Sequence, residues 1–299
     1  MAPKLDLRKK PAANIRRLAT KHIDRALESV DAIIARADPA AVHDVRTRSK
    51  RLRAIARMAR PRMGRAYRRE NAAFRNLARE LGDARDAQVL VTTFDDLLTW
   101  ASPDVDGKSY ADIRARLGEH ALGATKELEE TADERGERVR RGFLDARDRV
   151  ADWPLGGLDR ADVVAGVVKN YRQGRTALRV AAETDEPAAF HEWRKRAKYS
   201  WYHAQILEPL APNLLNATAD AYHELSSLLG DDHDLAVFVA MISAQLDGMD
   251  ERCVAELVRL AERRRRALES DALSRGEKIY GDKPKRIRKE LVALWNAAA

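Results

Sequence analysis

Apolar side chains recur every three or four positions along nearly the whole of this 299-residue chain and almost never alternate, so helices are its only available secondary structure. Ala, Leu, Arg and Glu dominate, and clusters of Val, Ile and Thr are scarce. Pro39, Pro61, Pro103, Pro187, Pro209 and Pro284 fall at or near the joints between periodic stretches, where proline costs a helix little. The spacing predicts helices over 12–36, 40–59, 62–81, 84–101, 109–151, 159–183, 188–207, 212–229, 232–246, 250–281 and 284–297. The expected fold class is all-α.

The chain also repeats itself. His43 and His191 stand 148 positions apart, and at that offset Arg46 falls on Arg194, Arg48 on Arg196 and Lys50 on Lys198. Farther on, "LGDARDAQVL" from Leu81 falls on "LGDDHDLAVF" from Leu229, and upstream Lys21 falls on Lys169. Matches at one offset over so long a stretch indicate a duplicated helical unit. The segment "DWPLGGLD", residues 152–159, combines Trp-Pro with paired glycines and marks the midpoint. Both Leu-Gly-Asp sequences read as tight helix-to-helix turns, the glycine closing one helix and the aspartate capping the next.

With about 100° per residue and His43 at zero, Lys50, Arg57, Arg46 and Arg53 lie on one flank, between about 340° and 280°. Val45, Leu52 and Ala56 occupy the adjacent core-facing arc, so one side of this helix is a ladder of cations. In the second copy His191, Arg194 and Lys198 hold the same angles, while Trp201 and Gln205 replace Arg53 and Arg57. Between Arg46 and Arg79 stand thirteen basic residues and one acid, Glu70, a crowding that is self-repulsive unless an anion lies opposite. Arg48 and Arg196 sit at the edge of the apolar arc, and Asp86 and Asp234 are their expected internal partners. Further cations that would extend the surface are Lys21 and Lys169, Arg62, Arg65, Arg68 and Arg69, and Lys283 and Arg286 in the closing "GEKIYGDKPKRIRKELVALW". The run "ERRRR" at 262–266 is expected to be an exposed face.

The net charge of +8 and pI near 9.6 favour anionic partners without choosing among them. The single cysteine, Cys253, excludes an internal disulfide and reads as a buried thiol on a helix, as expected in a reducing cytoplasm. The N-terminal stretch has no apolar core of a secretory signal, and no run of eighteen apolar residues exists to span a membrane. The expectation is a soluble cytoplasmic protein.

The pair "HDVRTRSKRLR" and "HEWRKRAKYSWY", each followed by Leu-Gly-Asp, resembles the CHAD domain, the conserved histidine α-helical domain, and the closing helix pair is similar as well. The resemblance runs from about residue 10 to 297. It implies two pseudo-symmetric helical bundles, residues 1–153 and 154–299, related by the duplication and enclosing a basic central channel or surface. It further implies inorganic polyphosphate as ligand, with association with polyphosphate granules and their proteins in some bacterial members, and no catalysis. Carried over, the ligand-facing residues are His43, Arg46, Lys50, Arg51 and Arg53 in the first half, and His191, Arg194 and Lys198 in the second. The sequence departs from the pattern at Tyr199 and Trp201, where basic residues are common in the family.

Two other readings stay open on the residues alone. One is a histidine-based metal-binding or phosphoryl-transfer protein, against which stand the lack of i,i+4 ligand spacing, of a phosphate-binding glycine loop and of a nucleophile elbow. The other is non-specific nucleic-acid binding, against which stands a cationic helix without interleaved aromatics for base stacking. No cofactor is expected. Histidines at a helix start would hold anions more tightly below about pH 6.5, their ordinary value.

Overall fold

The computed structural model describes residues 3–81, 83–102, 107–244 and 250–298. Ten α-helices carry them: α1 Pro11–Arg36, α2 Pro39–Met58, α3 Arg60–Arg79, α4 Asp83–Ala101, α5 Ala111–Ala151, α6 Arg160–Thr184, α7 Pro187–Leu207, α8 Pro212–Ala244, α9 Glu251–Ile279 and α10 Pro284–Ala297. Among the described residues there is no strand.

The starts of these helices follow local chemistry. Pro11, Pro39, Pro187, Pro212 and Pro284 each open a helix, where the missing N–H would have had no intrahelical partner. Asp38 caps α2 by accepting from the Ala40 N–H at 2.8 Å, Asp250 caps α9 the same way from Arg252, and Asp159 and Asp162 form a reciprocal capping box at α6. Gly64, at φ 50°, breaks the helical path inside α3 four residues from its start.

The largest core joins α1, α2, α3, α5, α6 and α10 around Ile15, Leu18, Leu52, Phe74, Phe143, Val164 and Trp295. The connecting segment 152–159 takes part, with Trp153, Leu155 and Leu158 buried in it. Gly166 makes the crossing of α6 over the end of α2 possible, because a Cβ there would lie 2.3 Å from the Met58 carbonyl oxygen. A second core, around Phe94, Tyr110, Phe238 and Leu257, ties α4 to α5, α8 and α9. A third gathers Tyr171, Phe190, Trp193, Tyr222 and Tyr280.

Three expectations are corrected. The expected break at Gly230-Asp231 does not exist: α8 runs through it, from 212 to 244. The glycine serves tertiary packing instead, since a Cβ there would stand 3.2 Å from Arg194 Nη2, and the neighbouring Asp232 is buried against Arg265 Nε at 3.0 Å. Of the first such turn, Asp83 begins α4 as expected, while Gly82 lies outside the described residues. The "ERRRR" run is only partly an exposed face, because Arg265 is buried among Asp232, Glu262 and Glu269. Cys253 is half-buried on α9 rather than buried.

Candidate anion-binding site

The two His-Arg-Lys stretches open α2 and α7, and these helices pack against one another. Between them lies a pocket of about 670 Å³. Arg46, Ser49, Lys50 and Arg53 line it from α2, and His191, Arg194, Lys195, Lys198 and Tyr199 from α7. Arg75 and Arg79 enter from α3, Asp86 from α4 and His233 from α8. Eight arginine and lysine side chains thus share the wall with one carboxylate.

That carboxylate is engaged. Asp86 Oδ1 accepts from Arg46 Nη2 at 3.0 Å, and Asp234 stands 3.7 Å from Arg194 Nη1. The same two aspartates were the expected partners of Arg48 and Arg196, and that assignment is corrected. Arg48 instead holds Asp44, one turn back on its own helix, at 2.7 Å. Arg196 likewise holds Glu192 one turn back and reaches Gln173 Oε1 at 3.0 Å. An acid at i−4 lies within easy reach on a helix surface, whereas the aspartates face the cationic ladder.

Lys50 and Lys198 are partly buried in this pocket, and among the described residues neither ammonium has a carboxylate at ion-pair distance. Burial, then Lys198, Arg46, Arg194 and Arg85, pushes the Lys50 pKa down to about 7. Burial and Arg194 push Lys198 down to about 8, against a partial pull upward from Asp234. Lys50 therefore stands in the field of Lys198 and of three arginines, and Lys198 in that of Arg194.

The histidines are also held neutral. His191 and His233 lie ring to ring, 4.0 Å between centroids, and burial with the adjacent cations lowers each to about 4. His43 is shifted down by burial and by Arg85, Lys50 and Lys198. The unperturbed value expected from sequence therefore does not apply to any of the three. His43 is exposed at the second turn of α2, beside the pocket rather than in its wall.

Not every predicted cation reaches the pocket. Arg57 is buried, donating to Asn71 Oδ1 at 2.7 Å with its guanidinium 3.8 Å from the Tyr199 ring centre. Arg51 donates to Gln205 Oε1 at 2.9 Å and lies over Tyr202, 4.5 Å from its centre. Both sit where the ladder meets the α7 aromatics, so packing absorbs them. Lys21, Lys169 and Lys283 are exposed away from the pocket wall, and Arg286 is exposed and paired with Asp282. On α3, Arg62 pairs with Asp162 and Arg69 with Glu70, so these two do not extend the surface as expected. Arg75 and Arg79 do, and so do Lys195 and His233. For Arg75 and Arg79 the sequence signal was their i,i+4 spacing within the same acid-poor run.

The arrangement offers guanidinium forks for pairs of phosphate or carboxylate oxygens and ammonium groups as point charges, an anion receptor in an all-helical frame. The sequence matches the CHAD domain family over residues 17–243, and the chain belongs to that family. Among solved structures it is similar to one described as "Crystal structure of the CHAD domain from the plant Ricinus communis", with a TM-score of 0.62 and 21% identity. That match covers 98% of this chain and 95% of the other. Comparison with curated protein sequences finds no match. Among the described residues no helix is long and apolar enough to cross a membrane.

Proposed function

We propose that the protein binds inorganic polyphosphate in the pocket between α2 and α7, without catalysis. The observation that carries this is the meeting of Lys50 and Lys198, from stretches 148 positions apart, in one pocket where neither has an acid partner among the described residues. Two partly buried ammonium groups in one pocket are costly to hold, and a polyanion between them offsets that cost. The matched ion pairs Arg46–Asp86 and Arg194–Asp234 support a further part of the reading, that residues 1–153 and 154–299 are duplicated halves contributing one wall each. Binding would be non-catalytic because Asp86, the one carboxylate in the wall, is bound to Arg46 and is a poor base for water. Association with polyphosphate granules belongs to the same proposal, resting on the family resemblance.

The test is a titration with polyphosphate of defined length at several salt concentrations. A strand held by its phosphates should lose affinity with a log–log slope of roughly −0.7 per phosphate contacted. Replacing Arg46, Lys50 and Arg53 by glutamate should abolish binding while helicity is retained. Displacement of bound polyphosphate by RNA at equal phosphate concentration would show that the ligand is misassigned.

A further inference from the structure

The opposite face of α7 walls a second cavity, of about 390 Å³, formed with α6, α8 and α10. On α7 the basic pocket takes His191, Arg194 and Lys198, whereas this cavity takes Ser200, His203, Ala204 and Leu207, about half a turn of the helix away. Its lining is mostly apolar, and Leu207, Leu215 and Leu291 in it are buried. A volume of this order suits a small organic molecule.

The polar groups in the wall select the occupant. Tyr171 donates its hydroxyl to the Asp282 carbonyl at 2.8 Å, and Thr218 donates to the Leu214 carbonyl at 2.8 Å, so both protons are used. His203 is 1% exposed and donates from Nε2 to the Ala54 carbonyl at 3.0 Å, which leaves Nδ1 with a lone pair, buried and without a partner. Glu290 is the one charged residue in the lining, exposed and with no ion pair among the described residues. The neighbouring cations of α10, Arg286 and Lys289, are exposed and do not line the cavity. The carboxylate of Glu290 is therefore the one charge the lining offers, and no lysine or arginine is present to receive an acid.

We propose that this cavity binds a small hydrophobic amine, its apolar body among the leucines and its N–H groups directed to Glu290. The site is independent of the polyphosphate reading and stands on the other side of α7. The test compares dodecylamine with dodecanoate by calorimetry on the full chain, below their micellar concentrations at pH 7.5. Dodecylamine is expected to bind at least tenfold more tightly than dodecanoate. Non-specific adsorption to a chain of net charge +8 would give the reverse order, and that result overturns the proposal. Glu290→Lys, at an exposed position, is expected to invert the preference; an unchanged preference counts against the site. Ala221→Phe, which fills the cavity, is expected to abolish amine binding and leave polyphosphate binding intact. Should that variant fail to fold, the His203 ring resonances of the unaltered protein decide: a shift on adding dodecylamine supports the site, and no shift rejects it.

Discussion

Lys50 on α2 and Lys198 on α7 line one pocket, and burial with neighbouring cations lowers both pKa values, Lys198 acting on Lys50 and Arg194 on Lys198. Binding an anion there raises both values, so binding takes up protons wherever the free lysines are partly neutral. With free values of about 7 and about 8, polyphosphate affinity is expected to fall as pH rises from 6.5 to 9. Affinity measured across that range, and heat of binding in two buffers of different ionisation enthalpy, checks this. A Lys50→Arg, Lys198→Arg double variant should flatten the profile.

The same depressed values have the opposite consequence for the free protein. Above pH 7 the unfolded chain binds more protons at these two lysines than the folded one does, so their contribution makes stability rise with pH toward 10. Lys50→Met removes a partly buried ammonium without a carboxylate partner among the described residues. It should raise the melting temperature at pH 7 by about 2 °C or more while weakening polyphosphate binding, an exchange of stability for function. Parallel melts at pH 7 and pH 9.5 should show the gain shrinking at the higher pH.

Arg194 is held by Asp234 at 3.7 Å, and an incoming phosphate must compete with that carboxylate. Asp234→Asn is expected to tighten polyphosphate binding several-fold, by removing the competitor and its charge from the pocket edge. Equal or weaker affinity in a direct titration would mean that the aspartate positions the arginine rather than masks it.

Glu269 shares the buried Arg265 with Asp232, and burial together with that second carboxylate raises its pKa to about 7. A raised folded-state value gives stability that is present below the ordinary carboxylate range and lost as pH climbs through 7. Glu269→Gln should therefore stabilise the protein at pH 8 relative to pH 5. Arg265→Met takes the shared cation from Asp232, Glu262 and Glu269, of which Asp232 and Glu269 lie in the core, and should destabilise the protein by about 3–5 kcal/mol. Denaturant titrations at the two pH values measure both.

Two glycines in helices should respond with opposite sign. Gly166→Ala drives a Cβ to 2.3 Å from the Met58 carbonyl and 2.6 Å from that of Arg57, forcing α6 off α2 at a cost of about 1–3 kcal/mol or more. Gly123→Ala in α5 meets nothing within 4 Å and should stabilise by about 0.5–1 kcal/mol. Urea unfolding of the pair checks the contrast.

The helices were legible because their causes are local. Proline at the first position and three-or-four spacing act within a turn, and the predicted ends of α1, α2, α6, α7 and α10 agree with the structure to within a residue. Gly230 was misread because its cause is tertiary: it makes room for Arg194, which sequence alone cannot place beside it. The ladder of Arg46, Lys50 and Arg53 could be read from helical angle, yet Arg57, on the same flank, and Arg51, carried over from the resemblance, prove to be packed against Tyr199 and Tyr202. Arg75 and Arg79 reach the pocket only through the packing of α3 beside α2, a relation the repeat could not reveal because the second copy has no cation there.

The core that holds Trp153 also contains Leu5 and Trp295, side chains almost the full chain apart. A nascent polypeptide cannot seal that interior until its last helix has left the ribosome, so folding is governed by a late, long-range closure. Severing the chain at the 152–159 connection would strand apolar surface on both fragments. The economical way to study one wall of the pocket in isolation is therefore by substitution in the intact protein, not by truncation.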